Sequence, residues 1–362
     1  MRTANSRVTG TILVALAVAF MLAFLYLLPL NTLLMTWLSP GIGTSETLGS
    51  TGTTPTVTNA GSLLFTSLTP GAKPAIAYPS QYDQLASFIL GRINRDRMAF
   101  NLSAVQLSSI PSGQQHADSM LHFGYLSHWD TQGLKPYARY SLLNGTGAIE
   151  ENVAYESTDL PTFTKLSYVE SSLARLENQM MYNDSSCCGN GHRDNILDPI
   201  HNFVSLGIEY NSTRVYLVED FENSYVSLNQ PLVAGDGSVT FFGISSISLE
   251  KLQAVVYYDK YPGNLTATQL GASPFSGSYT SGDFIGGVVP PCFLSCEKYQ
   301  NWITVQADTW DVTKSTIRID FKLTDFINSN GKGVYTVYLE IGLKDNSTGA
   351  PETLVGISVL SG

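Results

Sequence analysis

Five histidines stand in this chain of 362 residues, at positions 116, 122, 128, 192 and 201. An imidazole changes charge near neutral pH and is a common zinc ligand. Any proton-transfer or metal chemistry built on histidine therefore belongs to the middle of the sequence. His128 closes the run Gly124-Tyr125-Leu126-Ser127-His128, and His192 opens His192-Arg193-Asp194-Asn195-Ile196-Leu197-Asp198-Pro199. Between them lies Glu150-Glu151-Asn152-Val153-Ala154. Two imidazoles and a carboxylate in one cleft can bind a divalent cation or exchange protons near neutrality. His116 reads as a packed or hydrogen-bonded structural residue, and His122 and His201 as surface or loop residues. Strand alternation should turn Glu150 to the face opposite Glu151. Arg139 is expected to hold a loop by pairing with a carboxylate.

Other chemistries fit less well. Ser127 beside His128 is no sign of a serine hydrolase, because sequence neighbours need not be hydrogen-bonded, and no G-x-S-x-G is present. His192-Arg193-Asp194 has the letters of a kinase catalytic loop, but Pro199 stands where that loop requires Asn. The four cysteines form two pairs, Cys187/Cys188 and Cys292/Cys296. Neither pair has the C-x-x-C spacing of a zinc site. An even number in an exported chain permits disulfides, with three connectivities open. A cysteine peptidase using Cys187 or Cys188 with His192 would need a stabilised thiolate, and an exported Cys-Cys pair is more often oxidised.

The elements that must position these residues follow from periodicity. A helix capped by Ser80 is expected from Gln81, with Tyr82, Leu85, Phe88, Ile89 and Ile93 at helical spacing. A second is predicted over 112–123, burying Ala117, Met120 and Leu121 and ending on Gly124. A third should cover 169–182. Strands are predicted at 204–210 and 214–221, joined by an Asn211-Ser212-Thr213 turn. Helices and strands thus intermix, giving α/β or α+β rather than a bundle.

On these residues the chain resembles the CAP superfamily, the cysteine-rich secretory, antigen 5 and pathogenesis-related proteins, whose domain is also called SCP. The likeness runs through Ile93-Asn94-Arg95-Asp96-Arg97, the Gly124–His128 run, Gly133, Pro136, Arg139, the E-N-V-A of Glu151–Ala154, Gly191–Pro199 and the Val204–Gly207 strand, in the family's order. It is closest to the prokaryotic branch. The resemblance implies an α+β fold, a three-layer α-β-α sandwich, over residues 80–225. It also implies that His128, Glu151 and His192 line one cleft, with His128 and His192 as metal ligands and zinc or another divalent cation as cofactor. A fourth family residue, a Glu before the second His, falls on Glu177, with Glu170 as the alternative.

Residues 230–362 are rich in Val, Ile, Thr, Tyr and Phe. Strands are predicted at 239–244, 253–258, 302–307, 316–321, 334–341 and 354–360, which suggests an all-β, immunoglobulin-like sandwich. No catalytic constellation is visible there, so a structural or adhesive module is expected. At the other end, Arg2 and Arg7 precede an uncharged apolar run from Ile12 to Leu30. Nineteen helical residues span about 28 Å, enough for a bilayer core. Residues 1–38 are therefore expected to be an N-terminal transmembrane anchor, preferred over a cleaved signal, with the bulk of the chain outside the cell. Residues 39–79, rich in Ser, Thr, Gly and Pro, read as a flexible linker. N-x-[ST] sequons at Asn101, Asn144, Asn183, Asn211, Asn264 and Asn346 suit an exported glycoprotein. The net charge of −10 argues against nucleic acid as a partner.

Three functions remain in competition. One is a membrane-anchored CAP protein whose cleft binds a divalent metal or a small or lipidic ligand. Another is an extracellular, peptidase-like hydrolase using the His/Glu site. The last is a structural or adhesive surface protein whose partner is an envelope protein, lipid or glycan.

Overall fold

The computed structural model describes residues 76–229, 232–260, 263–292, 301–342 and 351–361. The apolar run 12–30, the linker to residue 75, Asn346 and Cys296 lie outside them. No helix among the described residues is long and apolar enough to cross a membrane. The protein is a mixed α and β structure with several sheets.

In chain order the first half contains α1 (Tyr82–Ala99), β1 (Gln106–Leu107), α2 (Ser112–Phe123), α3 (Pro136–Leu142) and β2 (Ala148–Ser157). It continues with α4 (Leu166–Tyr182), α5 (Ser185–Cys188), α6 (Gly191–Leu197), β3 (Phe203–Tyr210) and β4 (Arg214–Asn223). The strands form one sheet of order β1-β3-β4-β2, so β2 is an edge strand. Alternation sends Val204, Leu206, Ile208, Val215, Leu217 and Phe221 into one apolar core with Ile89 and Ile93 of α1 and Leu173 and Leu176 of α4. Val153, Tyr216 and Val218 emerge on the other face, where Ala117 and Met120 of α2 cover them. Helices therefore pack on both faces of the sheet.

Helix α2 begins and ends where its sequence indicates. Gly124 closes it in the left-handed region at φ 74°, its N–H on Met120 O. Ser80 does not cap α1: its hydroxyl donates to Gln81 Oε1, and no side chain caps that end. Gly207 has a packing role. A Cβ there would stand 2.0 Å from Gly113 O, so α2 lies directly against β3 through two glycines. Replacing Gly207 by alanine should force these backbones apart and lower stability by roughly 1–3 kcal/mol. Urea unfolding of the variant checks this, and an unchanged midpoint would show that α2 can move away freely.

The second half contains β5 (Val226–Leu228), β6 (Ser238–Ser245), β7 (Gln253–Lys260), α7 (Ala267–Leu270), β8 (Asp283–Val289) and β9 (Ile303–Gln306). It ends with β10 (Thr309–Val312), β11 (Thr316–Lys322), α8 (Thr324–Asn330), β12 (Gly333–Ile341) and β13 (Glu352–Ser361). Two sheets, β10-β11-β6-β5 and β13-β12-β7-β8-β9, enclose one core that includes Phe241, Ile319, Phe321, Val256, Val337 and Ile357. Two short helices and a parallel β8–β9 pair depart from the expected all-β pattern. Strand β8 was absent from the sequence expectation because Gly286-Gly287 weakens its strand signal. Gly286, at φ 148°, lets the Ile303 carbonyl approach where a Cβ would clash at 1.9 Å.

The halves share their cores. Every residue of β12 is buried, because its second face meets the first half: Val334 packs with Tyr137, Tyr140 and Ile149. Ile200 enters the core of the second half. Leu265, Leu270 and Phe275 pack with Trp129 and Met120. Polar ties join them too. Lys135 Nζ lies 2.6 Å from Asp259 Oδ1, the Tyr137 hydroxyl donates to Asp259, and Asn223 Nδ2 donates to Thr353 O at 2.8 Å. The described residues accordingly form one compact unit.

Candidate functional site

The edge position of β2 creates the site. Glu151 projects toward α2 and α3, with the same parity as Val153 and Ile149. Glu150 and Asn152 turn the other way, and Asn152 Nδ2 donates to His192 O at 3.1 Å. A cavity of about 610 Å³ runs along this edge. His128, Glu151 and His192 all line it.

Each of the two histidines is oriented by a carboxylate. His128 Nδ1 lies 2.9 Å from Glu151 Oε1, and Arg139 donates to Glu151 Oε2 at 2.5 Å. Arg139 also donates to His128 O at 2.7 Å and Leu134 O at 2.9 Å, so it holds the loop and the carboxylate together. His192 Nδ1 lies 2.6 Å from Asp184 Oδ1, while the backbone N–H groups of His192 and Arg193 donate to Asp184 Oδ2. A carboxylate on Nδ1 fixes the tautomer and leaves Nε2 as the nitrogen available to a ligand. Burial and the positive charge of Arg139 push the His128 pKa down to about 4, so its ring is neutral at pH 7.

The second half contributes the cover. Tyr279 is half-buried against His128, ring centroids 4.8 Å apart, and its hydroxyl accepts the Glu151 N–H at 3.0 Å. That N–H points away from β4, and antiparallel alternation turns the backbone of Ile149 and Val153 the same way. The Ser127 hydroxyl donates to Phe275 O at 2.6 Å, fastening the 275–281 segment over the cleft. Tyr257, Tyr338, Glu340 and Glu352 add to the lining. No catalytic constellation was expected in the second half, yet its residues line the cavity beside His128 and Glu151. The signal available in the sequence was a pair of aromatics, Phe275 and Tyr279, in an otherwise Gly/Ser-rich stretch.

Other expected residues fall elsewhere. Glu177 does not line the cavity: it is buried under α4, with Oε2 3.6 Å from Arg92 Nε, because its helical face turns toward α1 and the sheet. Glu170 is on the outer side of α4, where its carboxylate accepts from Gln84. His116 is buried and its Nε2 donates to Ser127 O at 2.7 Å, a structural role as expected. His201, expected on the surface, is 2% exposed and lines the cavity, because Arg97 draws its backbone inward. Cys187 and Cys188 form a vicinal disulfide, and Cys292 is also disulfide-bonded.

Two groups of residues among those described could hold a metal ion. One is Asp184, Cys187, Cys188 and His192, whose two sulfurs are tied to each other in the disulfide. The other is Glu150, Asp198 and His201. His128 belongs to neither group; its Nδ1 faces Glu151, whereas His192 Nδ1 faces Asp184.

Carboxylates dominate the electrostatics. Burial raises Glu151, Glu177, Glu209 and Glu222 to about 7 and Glu219 to about 8. These groups hold protons in the folded state that the unfolded chain has already released above pH ~4.5. Their stabilisation is full below that pH and is lost as pH rises through 7 to 8. The buried His116, His128 and His201 have lowered pKa values and act oppositely, subtracting stability only as pH falls below ~6.5. Between pH ~8.5 and ~6.5 the carboxyls act alone, and the melting temperature should rise by roughly 3 °C or more on acidification. A melting temperature that is flat or falls over this window would contradict these protonation states.

No family model matches the sequence, and no curated protein matches it. Among solved structures, it is similar to the crystal structure of an extracellular protein containing an SCP domain from Bacillus anthracis str. Ames. The two are 18% identical over 41% of this chain and 45% of that one, with a TM-score of 0.29. The chain thus spans less than half the length of that protein.

Proposed function

We propose that this is an exported, membrane-anchored protein with a CAP-like domain, whose cavity binds a small polar ligand carrying positive charge. The ordered motifs from Ile93 to Gly207 support the CAP-like assignment, and the apolar run after Arg7 supports the anchor. One observation carries the choice of ligand. The cavity is lined by Glu150, Glu151, Asp198, Glu340, Glu352 and three histidines, and by no Lys or Arg among the described residues. A lipid tail would bring no compensating charge to this acidic lining, at a cost of several kcal/mol for each carboxylate that it covered in ionised form. A cationic ligand would neutralise them, and the lining tyrosines Tyr137, Tyr257, Tyr279 and Tyr338 offer ring faces to it. His128 Nε2, His192 Nε2 and the β2 edge supply acceptors and donors for its polar groups. The second half then acts as one wall of the site.

Hydrolysis is the second reading, favoured by the Glu151-oriented His128 as a general base. Ser127, beside His128, is not poised as a nucleophile, because its Oγ donates to Phe275 O, and Cys187 and Cys188 are tied in a disulfide. An attacking water would be required.

The test is calorimetric titration with Lys-Lys, Arg-Arg and Glu-Glu dipeptides. The basic dipeptides should bind, Glu-Glu should not, and His128→Ala should weaken binding about tenfold or more, the loss of one charge-assisted contact. Equal affinity for all three peptides, or no effect of His128→Ala, would refute the assignment.

A further inference from the structure

Glu150, Asp198 and His201 come from three different places: strand β2, the residue after α6, and the loop before β3. Their ligand atoms nevertheless lie within 4.8 Å of one another, and all three residues line the large cavity. His201 is the decisive member. It is 2% exposed, its Nδ1 donates to Asn223 Oδ1 at 2.7 Å, and its Nε2 is buried with no hydrogen-bond partner. A buried acceptor is rarely left unpaired without a reason. The ring is also fixed, stacked on Phe221 at 5.4 Å and 19°.

The backbone beneath is equally constrained. Arg97 is fully buried and donates to Ile196 O, Asp198 O and His201 O at 2.8, 2.9 and 3.1 Å. One guanidinium thus sets the positions of both Asp198 and His201. Asp198 Oδ1 accepts the Ile200 N–H at 2.9 Å, which orients its carboxylate. The Nδ1 bond to Asn223 is the outer-shell contact that usually accompanies a metal-bound imidazole.

We infer that Glu150, Asp198 and His201 form a divalent cation site in the cavity wall, with His201 Nε2 as its nitrogen ligand. One imidazole with two carboxylates suits a zinc-class transition ion better than calcium, which takes oxygen ligands only. Ligand atoms around such an ion stand about 3.5 Å apart, so the group closes by about 1 Å on binding. The site does not depend on His128, Glu151 or His192, nor on the charge of any organic ligand.

The full chain, purified in detergent and stripped with a chelator, is titrated with Zn²⁺ by calorimetry and with Co²⁺ by visible absorption. One equivalent should bind. Glu150→Gln, at a solvent-exposed residue whose substitution leaves the core intact, and His201→Gln should each weaken it by roughly tenfold or more. His128→Ala should retain it. Wild-type affinity in Glu150→Gln, or loss of the ion only in His128→Ala, would overturn the assignment. Should His201→Gln fail to fold, Glu150→Gln with Asp198→Asn decides it alone.

Discussion

Replacing Arg97 by methionine should lower the unfolding free energy by about 4 kcal/mol, and the melting temperature by on the order of 8 °C. Among the described residues the side chain forms no ion pair with a carboxylate. Its Nε donates to Ser103 O at 2.8 Å, and its two terminal nitrogens serve the carbonyls of Ile196, Asp198 and His201. Removing the guanidinium leaves these carbonyls without a donor, in a place where water cannot replace it. Each such group carries a penalty of about 1–3 kcal/mol, partly relieved by local rearrangement. Lysine should not rescue the loss, since a single ammonium cannot reach carbonyls arranged around a planar fork. Thermal unfolding of Arg97→Met and Arg97→Lys tests both points. A variant as stable as wild type would mean that the 196–201 segment is held by other contacts.

Arg139→Met should cost a similar amount, about 3–5 kcal/mol, for a different reason. Here the guanidinium faces a buried carboxylate, and its removal leaves Glu151 in a dry environment beside Asp220. Burial and Glu151 already raise the Asp220 pKa well above its usual value. The variant should therefore be most destabilised at alkaline pH, where both acids are driven to ionise. A second change, Glu151→Gln, removes the stranded charge and should restore part of the loss, so the two substitutions should be strongly non-additive. Additive effects would show that Arg139 acts through His128 O and Leu134 O alone.

Much of this architecture was legible in the sequence, and the exceptions have physical causes. Helix α2 was readable because its apolar period and its glycine cap agree. The Asn211 turn was readable too, since Asn211 Oδ1 accepts from the N–H groups of Thr213 and Arg214. Helix α3 was not anticipated: it is short, and it is held by packing of Tyr137 and Tyr140 against the second half rather than by its own periodicity. Strand β4 carries Glu219, Asp220 and Glu222, charges that in a sequence suggest a solvated surface, yet all three are buried. Their partners are distant in sequence: Ser112 donates to Asp220, Asn152 to Glu219 and Tyr140 to Glu222. For the same reason Tyr279 and His201 escaped notice. Each acquires its place from residues more than twenty positions away, and no local pattern records that. Glu177 shows the converse, because a motif position alone does not say which face of a helix meets the cleft.

The most direct test of the cavity as the ligand site is long-range ¹H–¹⁵N NMR of the five imidazoles, with and without Lys-Lys. Both His128 and His192 should carry their proton on Nδ1, and their Nε2 resonances should shift on ligand addition while His122, on the outer surface, stays still. Unperturbed His128 and His192 signals under conditions where the dipeptide binds would place the ligand elsewhere and contradict the account.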